Sequence, residues 1–378
     1  MSGLLSCVHR PPCPGCPRLG ELLATSAALE PLRELAARYG VGLDVLERPA
    51  RGYRARSRLA VRGRVREPKI GLFEEGSHWV ADIPECLVHH PAINRAADAL
   101  RRAIQVSGIP PYTERTHRGL LRYVQVVVER ESARVQVVLV GNCETPEPLA
   151  GLTQALQRAL GDQLQGLFFS AQTEKSNAIL GPRCEKIAGA DAIEERIAGA
   201  RVFFPPDAFG QSHLGLYDEV VQRIGSFVPE GSDVTELYAG VGAIGLSLVP
   251  RAARVRFNEL GAGSLRGLQL GVDALPAELR GRTSVHPGSA ADHLELTANV
   301  DVVIADPPRK GLTKELSHSL AARPPKRFIY LSCDTGTFLR DTTLLLAGER
   351  LRLTSLAGCD FFPFTEHVET LAVFDRIE

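Results

Sequence analysis

From about residue 205 onwards, short apolar runs alternate with stretches of helical spacing, and most of the runs end beside a residue capable of chemistry. That alternation marks a parallel α/β sheet, because parallel neighbours need a crossover between them, usually a helix. Strand candidates are Val234–Tyr238, Val255–Asn258, Val300–Ala305 and Phe328–Leu331, with helical stretches near 214–227, 262–275 and 312–322. Leu351–Leu356 and Val368–Phe374 read as an antiparallel pair closing the sheet edge. In an open sheet of this kind ligands collect outside the carboxyl ends of the strands. The residues that end these runs are therefore the first candidates for function.

The chain upstream has a different texture. Residues 21–39 show helical spacing, with Leu22, Leu23, Leu29, Leu32 and Leu35 on one face. Residues 51–83 read as short strands broken by Gly63 and Gly71, and a helix pattern covers about 91–106. Leu121–Glu129 and Arg134–Val140 form an expected antiparallel pair, and Gly166–Ser170 adds a third run. The expectation is an α+β domain over 1–204 and an α/β domain over 205–378.

A chain of 378 residues has room for two or three cores. Lysine plus arginine and aspartate plus glutamate each total 44, so overall charge points to no partner. The distribution is more informative: Arg51 to Arg66 holds seven arginines and no acid, alternating with apolar residues. Such a stripe is either the solvated face of a strand pair or a surface that neutralises phosphates. Tyr53, Trp79, Arg118, Arg122 and Tyr123 would add stacking surface to the second. With neither a leader pattern nor a run of about eighteen apolar residues, the expectation is a soluble cytoplasmic protein without membrane contact. Nothing implies an obligate protein partner. Eight cysteines spread through a chain this long argue for metal or catalytic use over a disulfide scaffold. Cys7, Cys13 and Cys16 stand in a stiff proline- and glycine-bearing loop that can aim several sulfurs at one centre.

Five positions along the α/β half carry the chemistry. Gly240-Val241-Gly242-Ala243-Ile244-Gly245 is a Gly-x-Gly-x-x-Gly turn between a strand and a helix, where the backbone can approach a nucleotide cofactor. Alone it is a weak signal, shared with dinucleotide dehydrogenases and with plain structural turns. Glu259, at the end of the next strand, can accept from two ribose hydroxyls. Asp306-Pro307-Pro308-Arg309 follows the strand after that, a turn for which a dehydrogenase has no use. Cys333 ends the last parallel run, and Glu369 comes late in His367-Val368-Glu369. A lone cysteine at a strand end is commonly a small buried hydrophobe. Beside that turn and a late carboxylate it reads instead as a nucleophile with its base.

These motifs, in this order, resemble those of the RNA uracil-5-methyltransferases. Phe209-Gly210-Gln211 resembles the family's Phe-x-Gln cofactor contact, and Leu237–Gly242 its glycine loop. Asp306–Arg309, Ser332-Cys333 and His367–Glu369 resemble its acceptor turn, nucleophile and base motifs. The resemblance implies a Rossmann-like class I methyltransferase domain behind an N-terminal α+β domain for RNA binding and a cluster. It implies S-adenosylmethionine contacts from Gln211, Tyr238, Gly240, Gly242, Glu259 and Asp306, and catalysis by Cys333 and Glu369. The chemistry is coherent: carbon 5 of uracil is a weak nucleophile until a thiolate adds at carbon 6, and a base must then remove the carbon-5 proton. The resemblance also implies that Cys7, Cys13, Cys16 and Cys86 hold a 4Fe–4S cluster. Zinc on four thiolates, or on three with His9, is the alternative.

The layout, without a small β-barrel domain in front, is similar to the branch acting on 23S ribosomal RNA, and compact transfer-RNA enzymes stand as the alternative. A cluster-bearing RNA-binding protein with impaired catalysis, and an amino-group methyltransferase that needs no thiol, are the rivals. Three departures stand out. Asp334-Thr335 replaces the family's Asn-Pro after the nucleophile, Ser289 stands where an adenine-side Asn is expected, and the stretch after Glu259 lacks the usual Ala/Asn pattern. Asp334 would raise the thiol's pKa unless held away from it.

Overall fold

The computed structural model describes residues 5–378 and divides into two compact units. One comprises the described residues to Gly20 with Pro49–Glu195 and Phe204–Asp207, the other Glu21–Arg48, Arg196–Phe203 and Ala208–Glu378. The last crossing between the units falls between Asp207 and Ala208, and Glu21–Arg48 belongs with the second unit. Its helix α1 (Glu30–Tyr39) and strand β1 (Leu43–Leu46) explain this. Leu29, Leu32 and Leu35 enter the same apolar core as Leu353, Leu356 and Phe374, and β1 pairs with a C-terminal strand.

The first unit is built on seven strands: β2 (Arg56–Arg64), β3 (Glu67–Phe73), β4 (Val80–Asp82), β5 (Leu121–Val128), β6 (Val135–Gly141), β7 (Leu164–Ala171) and β8 (Glu185–Gly189). Their order is β4-β3-β2-β5-β6-β7-β8, antiparallel except for β6 and β7. Helix α2 (Pro91–Ser107) lies in the connection from β4 to β5 and packs against α3 (Ala150–Leu160), the crossover between the parallel pair. Pro91 opens α2, the His90 ring accepts from the Ala92 amide, and left-handed Gly108 closes it. Gly63 and Gly71 do not break the strands. Gly71 lies inside β3 because β4 passes so closely that a Cβ there would fall 1.9 Å from the Ala81 carbonyl.

The arginine stripe is divided by burial. Arg58, Arg64 and Arg66 on the stripe are exposed, as is Arg118, whereas Arg56 and Arg62 are buried in β2. Arg62 pairs with Glu114, donates to the carbonyls of Val61 and Arg122, and lies over the rings of Phe73, Tyr112 and Tyr123. Arg122 is 1% exposed, donates to the carbonyls of Gln172 and Glu174, and covers Tyr112. A buried guanidinium that donates to carbonyls and lies on aromatic faces is internal bracing. Arg122 is therefore not a stacking surface for bases, as its sequence position suggested.

After the hairpin β9 (Ile193–Ile197) and β10 (Ala200–Phe204), the second unit continues with α4 (Leu214–Phe227), β11 (Asp233–Leu237), α5 (Ala243–Leu248), β12 (Arg254–Glu259), α6 (Ala262–Asp273), α7 (Ala277–Arg280) and β13 (Thr283–Pro287). It ends with β14 (Val302–Ala305), α8 (Lys314–Ala322), β15 (Arg327–Ser332), α9 (Thr335–Leu346), β16 (Leu351–Cys359) and β17 (Glu369–Arg376). The sheet order is β1-β16-β17-β15-β14-β11-β12-β13, and only β17 runs against the rest. The expected antiparallel pair is present, but it does not close the edge. β17 is inserted between β15 and β16, and β1 forms the edge. The four-residue run of β1 is too short to announce this in sequence. The consequence is functional: the start of an antiparallel strand lies at the same sheet edge as the carboxyl ends of its parallel neighbours.

Candidate active site

The carboxyl ends of β11, β12, β14 and β15 and the start of β17 meet at one edge of the second unit. Behind β11 the chain turns through Tyr238 (φ 56°), Gly240 (φ 57°) and Gly242 (φ 78°) into α5. A left-handed conformation at a non-glycine residue is uncommon, and two carboxylates fasten the turn in which Tyr238 adopts it. Glu259 Oε2 accepts from the Gly240 amide at 2.7 Å, and its Oε1 accepts from Leu260 and Gly261. Glu236 Oε2 accepts from the Gly245 amide at 2.8 Å. Gly245 must be glycine, since a Cβ would lie 2.4 Å from both Glu236 Oε2 and the Phe257 ring. Glu259 is thus held by three amides, its orientation set at the end of β12.

Asp306 follows β14 directly, Cys333 follows β15, and Glu369 opens β17. Ser332 pairs with Thr370, so Glu369 stands level with Cys333 along the ladder. Cys333 is half-buried and Glu369 is 2% exposed. Burial pushes the Cys333 thiol up to about 11, assisted by the negative charges of Glu369 and Asp306 and opposed by Arg309. Burial, with the charge of Asp306, raises Glu369 to about 8, while a hydrogen bond from Gln211 and the charge of Arg309 act in the other direction. Asp306 is raised to about 7 by burial. Carboxyl groups near neutrality are suited to taking and giving protons.

Gln211, which precedes α4, is 6% exposed and donates from Nε2 to Glu369 Oε2 at 3.3 Å. Its Oε1 is buried with no hydrogen-bond partner among the described residues, an acceptor left for a ligand donor. The second unit therefore brings Gln211, Asp306, Cys333 and Glu369 together, with Tyr238, Gly240, Gly242 and Glu259 on the adjoining turns.

The Asp334 carboxylate does not face the thiol. Its Oδ1 accepts from the Thr337 amide at 2.8 Å and caps α9, and Asp334 is absent from the charges acting on Cys333. Ser289 plays a similar part, its hydroxyl accepting from the Ala291 amide beyond the end of β13. Other site residues escaped the sequence reading. Glu236 is 3% exposed and raised to about 8 by burial, then by Asp306 and Glu259. Tyr217, buried on α4, has its phenol pushed well up by burial and by Asp306, Glu236 and Glu369. Arg309 reads in sequence only as the end of a turn. A charged residue inside the apolar run of β11 was the available signal for Glu236; nothing local marks the others.

In the first unit, the thiols of Cys7, Cys13, Cys16 and Cys86 share one neighbourhood. Cys16 is raised to about 11 by burial and then by Cys86, Cys13 and Cys7. Burial raises Cys13 and Cys86 as well, with added charge from Cys7 and Cys13 respectively. The His9 ring accepts from the Glu85 amide through Nε2 and is committed there. Among the described residues no three Cys, His, Asp or Glu side chains converge on a single metal ion.

Comparison with known proteins places the chain. The family model for tRNA (Uracil-5-)-methyltransferase matches residues 292–377, the segment containing Asp306, Cys333 and Glu369. An uncharacterized RNA methyltransferase of Protochlamydia amoebophila is 32% identical over 382 residues, spanning 98% of either chain. The chain belongs to the RNA uracil-5-methyltransferase family. It is an S-adenosylmethionine-dependent RNA methyltransferase of that class. An uncharacterized RNA methyltransferase of Geobacter sulfurreducens is 30% identical over 86% of this methyltransferase and 68% of the relative. The crystal structure of Pyrococcus abyssi tRNA (uracil-54, C5)-methyltransferase in complex with S-adenosyl-L-homocysteine superposes with a TM-score of 0.78. It is 25% identical, and the match covers 96% of this chain and 84% of that one. Among the described residues no helix is long and apolar enough to cross a membrane.

Proposed function

We propose that this methyltransferase converts one specific uridine of 23S ribosomal RNA to 5-methyluridine through a covalent adduct on Cys333. The observation that carries the reading is the meeting of Cys333, Glu369 and Asp306 at one sheet edge, each within electrostatic reach of the others. Cys333 loses its thiol proton to solvent and the thiolate sulfur adds to carbon 6 of the uracil, breaking the 5,6 double bond and leaving its electron pair at carbon 5. When bound, S-adenosylmethionine would supply the electrophilic methyl group that carbon 5 takes up. Glu369, as carboxylate, then takes the carbon-5 proton, and the electron pair released expels the Cys333 sulfur from carbon 6. Arg309 is the protein's own positive charge acting on this pair.

Gln211, Tyr238, Gly240, Gly242, Glu259 and Asp306 are assigned to the cofactor. The orphaned Gln211 Oε1 and the amide-held Glu259 support that fit. A uridine must leave its stack to reach Cys333, so the target is a flipped or looped base. The domain over 1–204 is assigned to gripping RNA, with exposed Arg58, Arg64, Arg66, Arg118 and Trp79 as contacts, and that over 205–378 to chemistry. Cys7, Cys13, Cys16 and Cys86 would hold a 4Fe–4S cluster, because the donor set is all thiol and His9 is otherwise engaged. The cluster would supply a structural cross-link, since methyl transfer contains no redox step. Zinc is the competing occupant. The free cysteines and the RNA substrate make the cytoplasm the proposed compartment. Transfer RNA is the second reading for the substrate, favoured by the Pyrococcus abyssi enzyme's stated specificity.

RNA carrying 5-fluorouridine tests the mechanism, because fluorine at carbon 5 cannot be removed as a proton. The expected result is a denaturation-resistant protein–RNA adduct that disappears in Cys333→Ala. Unreduced methyl transfer by Cys333→Ala would overturn the assignment. Mapping 5-methyluridine in ribosomal and transfer RNA of a deletion strain decides between the two substrates.

A further inference from the structure

The turn that carries Asp306 and Arg309 is clasped by a carboxylate outside the catalytic set. Asp341, on α9, is fully buried. Its Oδ2 accepts from the Leu312 amide at 2.9 Å and from the Tyr330 hydroxyl at 2.8 Å. Its Oδ1 accepts from Arg340 Nε and Nη2 at 2.9 and 2.7 Å, and the same Nη2 reaches the Lys310 carbonyl at 2.8 Å. Gly311 sits between these bonds in the left-handed region (φ 73°), and its amide donates to the Pro308 carbonyl at 2.8 Å. A Cβ on Gly311 would lie 2.3 Å from Asp341 Oδ2, so the clasp closes only over glycine.

Three pieces of the site meet at this one carboxylate. The turn after β14 is held through Lys310 and Leu312, β15 through Tyr330 three residues before Cys333, and α9 by Asp341 itself. The same α9 begins at the Asp334 cap, next to the thiol. We propose that Asp341 is a positioning residue that holds Arg309 within reach of the Cys333–Glu369 pair, and so governs how readily the nucleophile ionises. The inference rests on the assignment of Cys333 as nucleophile. The charged groups acting on the thiol are Glu369 from β17 and Asp306 and Arg309 from the clasped turn, with Asp334 turned to its helix. Arg309 is the only cation of that set, and it is exposed, with no ion pair among the described residues to fix it. Its position therefore depends on the backbone that carries it, and Asp341 holds that backbone.

The test is the pH profile of Cys333 alkylation by iodoacetamide, read at the Cys333 peptide by mass spectrometry, in the full chain without RNA. Asp341→Asn keeps the shape and removes the charge that draws in Arg340. Alkylation at pH 8 is expected to slow on the order of three- to tenfold, as for losing one partly screened charge. Arg309→Gln should slow it similarly, and the double variant no further. Gly311→Ala, which pushes the clasp open without removing a polar group, should shift the profile the same way and covers the case in which Asp341→Asn does not fold. An unchanged profile in folded Asp341→Asn or Gly311→Ala, or additive effects with Arg309→Gln, would overturn the proposal. The outcome is separable from that of the mechanism: a normal 5-fluorouridine adduct with an unmoved profile rejects only the clasp, and a missing adduct rejects the nucleophile.

Discussion

Asp334 offers the sharpest trial of the site's electrostatics, because two placements of one carboxylate predict opposite results. In the structure its Oδ1 caps α9 through the Thr337 amide at 2.8 Å, and the charges that act on Cys333 are Glu369, Asp306 and Arg309. Replacing Asp334 by Asn should leave the thiol where burial pushes it, up to about 11, because Asn is as good a cap and the lost charge was not facing the sulfur. Replacing it by Ala removes the cap and should cost about 1 kcal/mol. For a unit of about two hundred residues that is a fall of roughly 2–4 °C in Tm. Had the carboxylate faced the thiolate at about 4 Å, the pair would repel by about 4 kcal/mol at an effective dielectric constant near 20, or about three pKa units. Asp334→Asn would then speed alkylation at pH 8 by about a thousandfold. The assay is Cys333 alkylation between about pH 7 and 10, with thermal melts on the same samples. A tenfold or greater acceleration in Asp334→Asn, or a melt unmoved in Asp334→Ala, would refute the placement.

Other outcomes follow from the same geometry. Glu369→Gln should accumulate the protein–RNA adduct with unmodified uridine RNA and cofactor, since the carbon-5 proton then has no acceptor; turnover without accumulation on denaturing gels would remove Glu369 from the role of base. Burial raises Glu369 and Glu236 to about 8 and Asp306 to about 7 in the folded chain, so the stability tied to their protons is complete below about pH 4 and is lost as pH rises through 7–8. The Tm of the ligand-free protein should therefore fall between about pH 5 and 8, and Glu236→Gln should flatten that fall; an identical slope in the variant would count against a buried, protonated Glu236. Arg122→Met should destabilise the first unit by about 2–3 kcal/mol, because the carbonyls of Gln172 and Glu174 lose their donors. Arg64→Gln with Arg66→Gln should instead lower the salt slope of RNA binding by about 0.7–0.9 for each phosphate no longer neutralised, with little effect on denaturant midpoints. Anaerobic purification with iron and zinc analysis tests the thiol cluster: Cys16→Ser should lose the bound metal, and a metal-free wild type would reject both occupants.

Much of the α/β half was legible in one dimension. Its strands follow runs of β-branched and apolar residues, its helices follow a 3.6-residue spacing, and a parallel sheet delivers strand ends to one edge whatever the details. That rule alone placed Asp306, Glu259 and the Gly240–Gly242 turn on the same rim. What it could not supply was any arrangement made by residues distant in the chain. Glu369 reaches Cys333 because β17 runs backwards between β15 and β16, and an antiparallel insertion leaves no trace in the pattern of either neighbour. The short edge strand β1 joins β16 from the far end of the chain for the same reason. Side-chain direction was equally hidden: the alternating arginines of β2 gave no sign that Arg62 would turn inward over three rings while Arg64 stayed in solvent. Nor could adjacency reveal that Asp334, next to the thiol in sequence, spends its carboxylate on a helix, while Asp341 seven residues on clasps the turn opposite. Covalent order determines which groups the chain possesses and on which elements they ride. Which charges feel one another depends on through-space distance and burial, and those exist only once the sheet has closed.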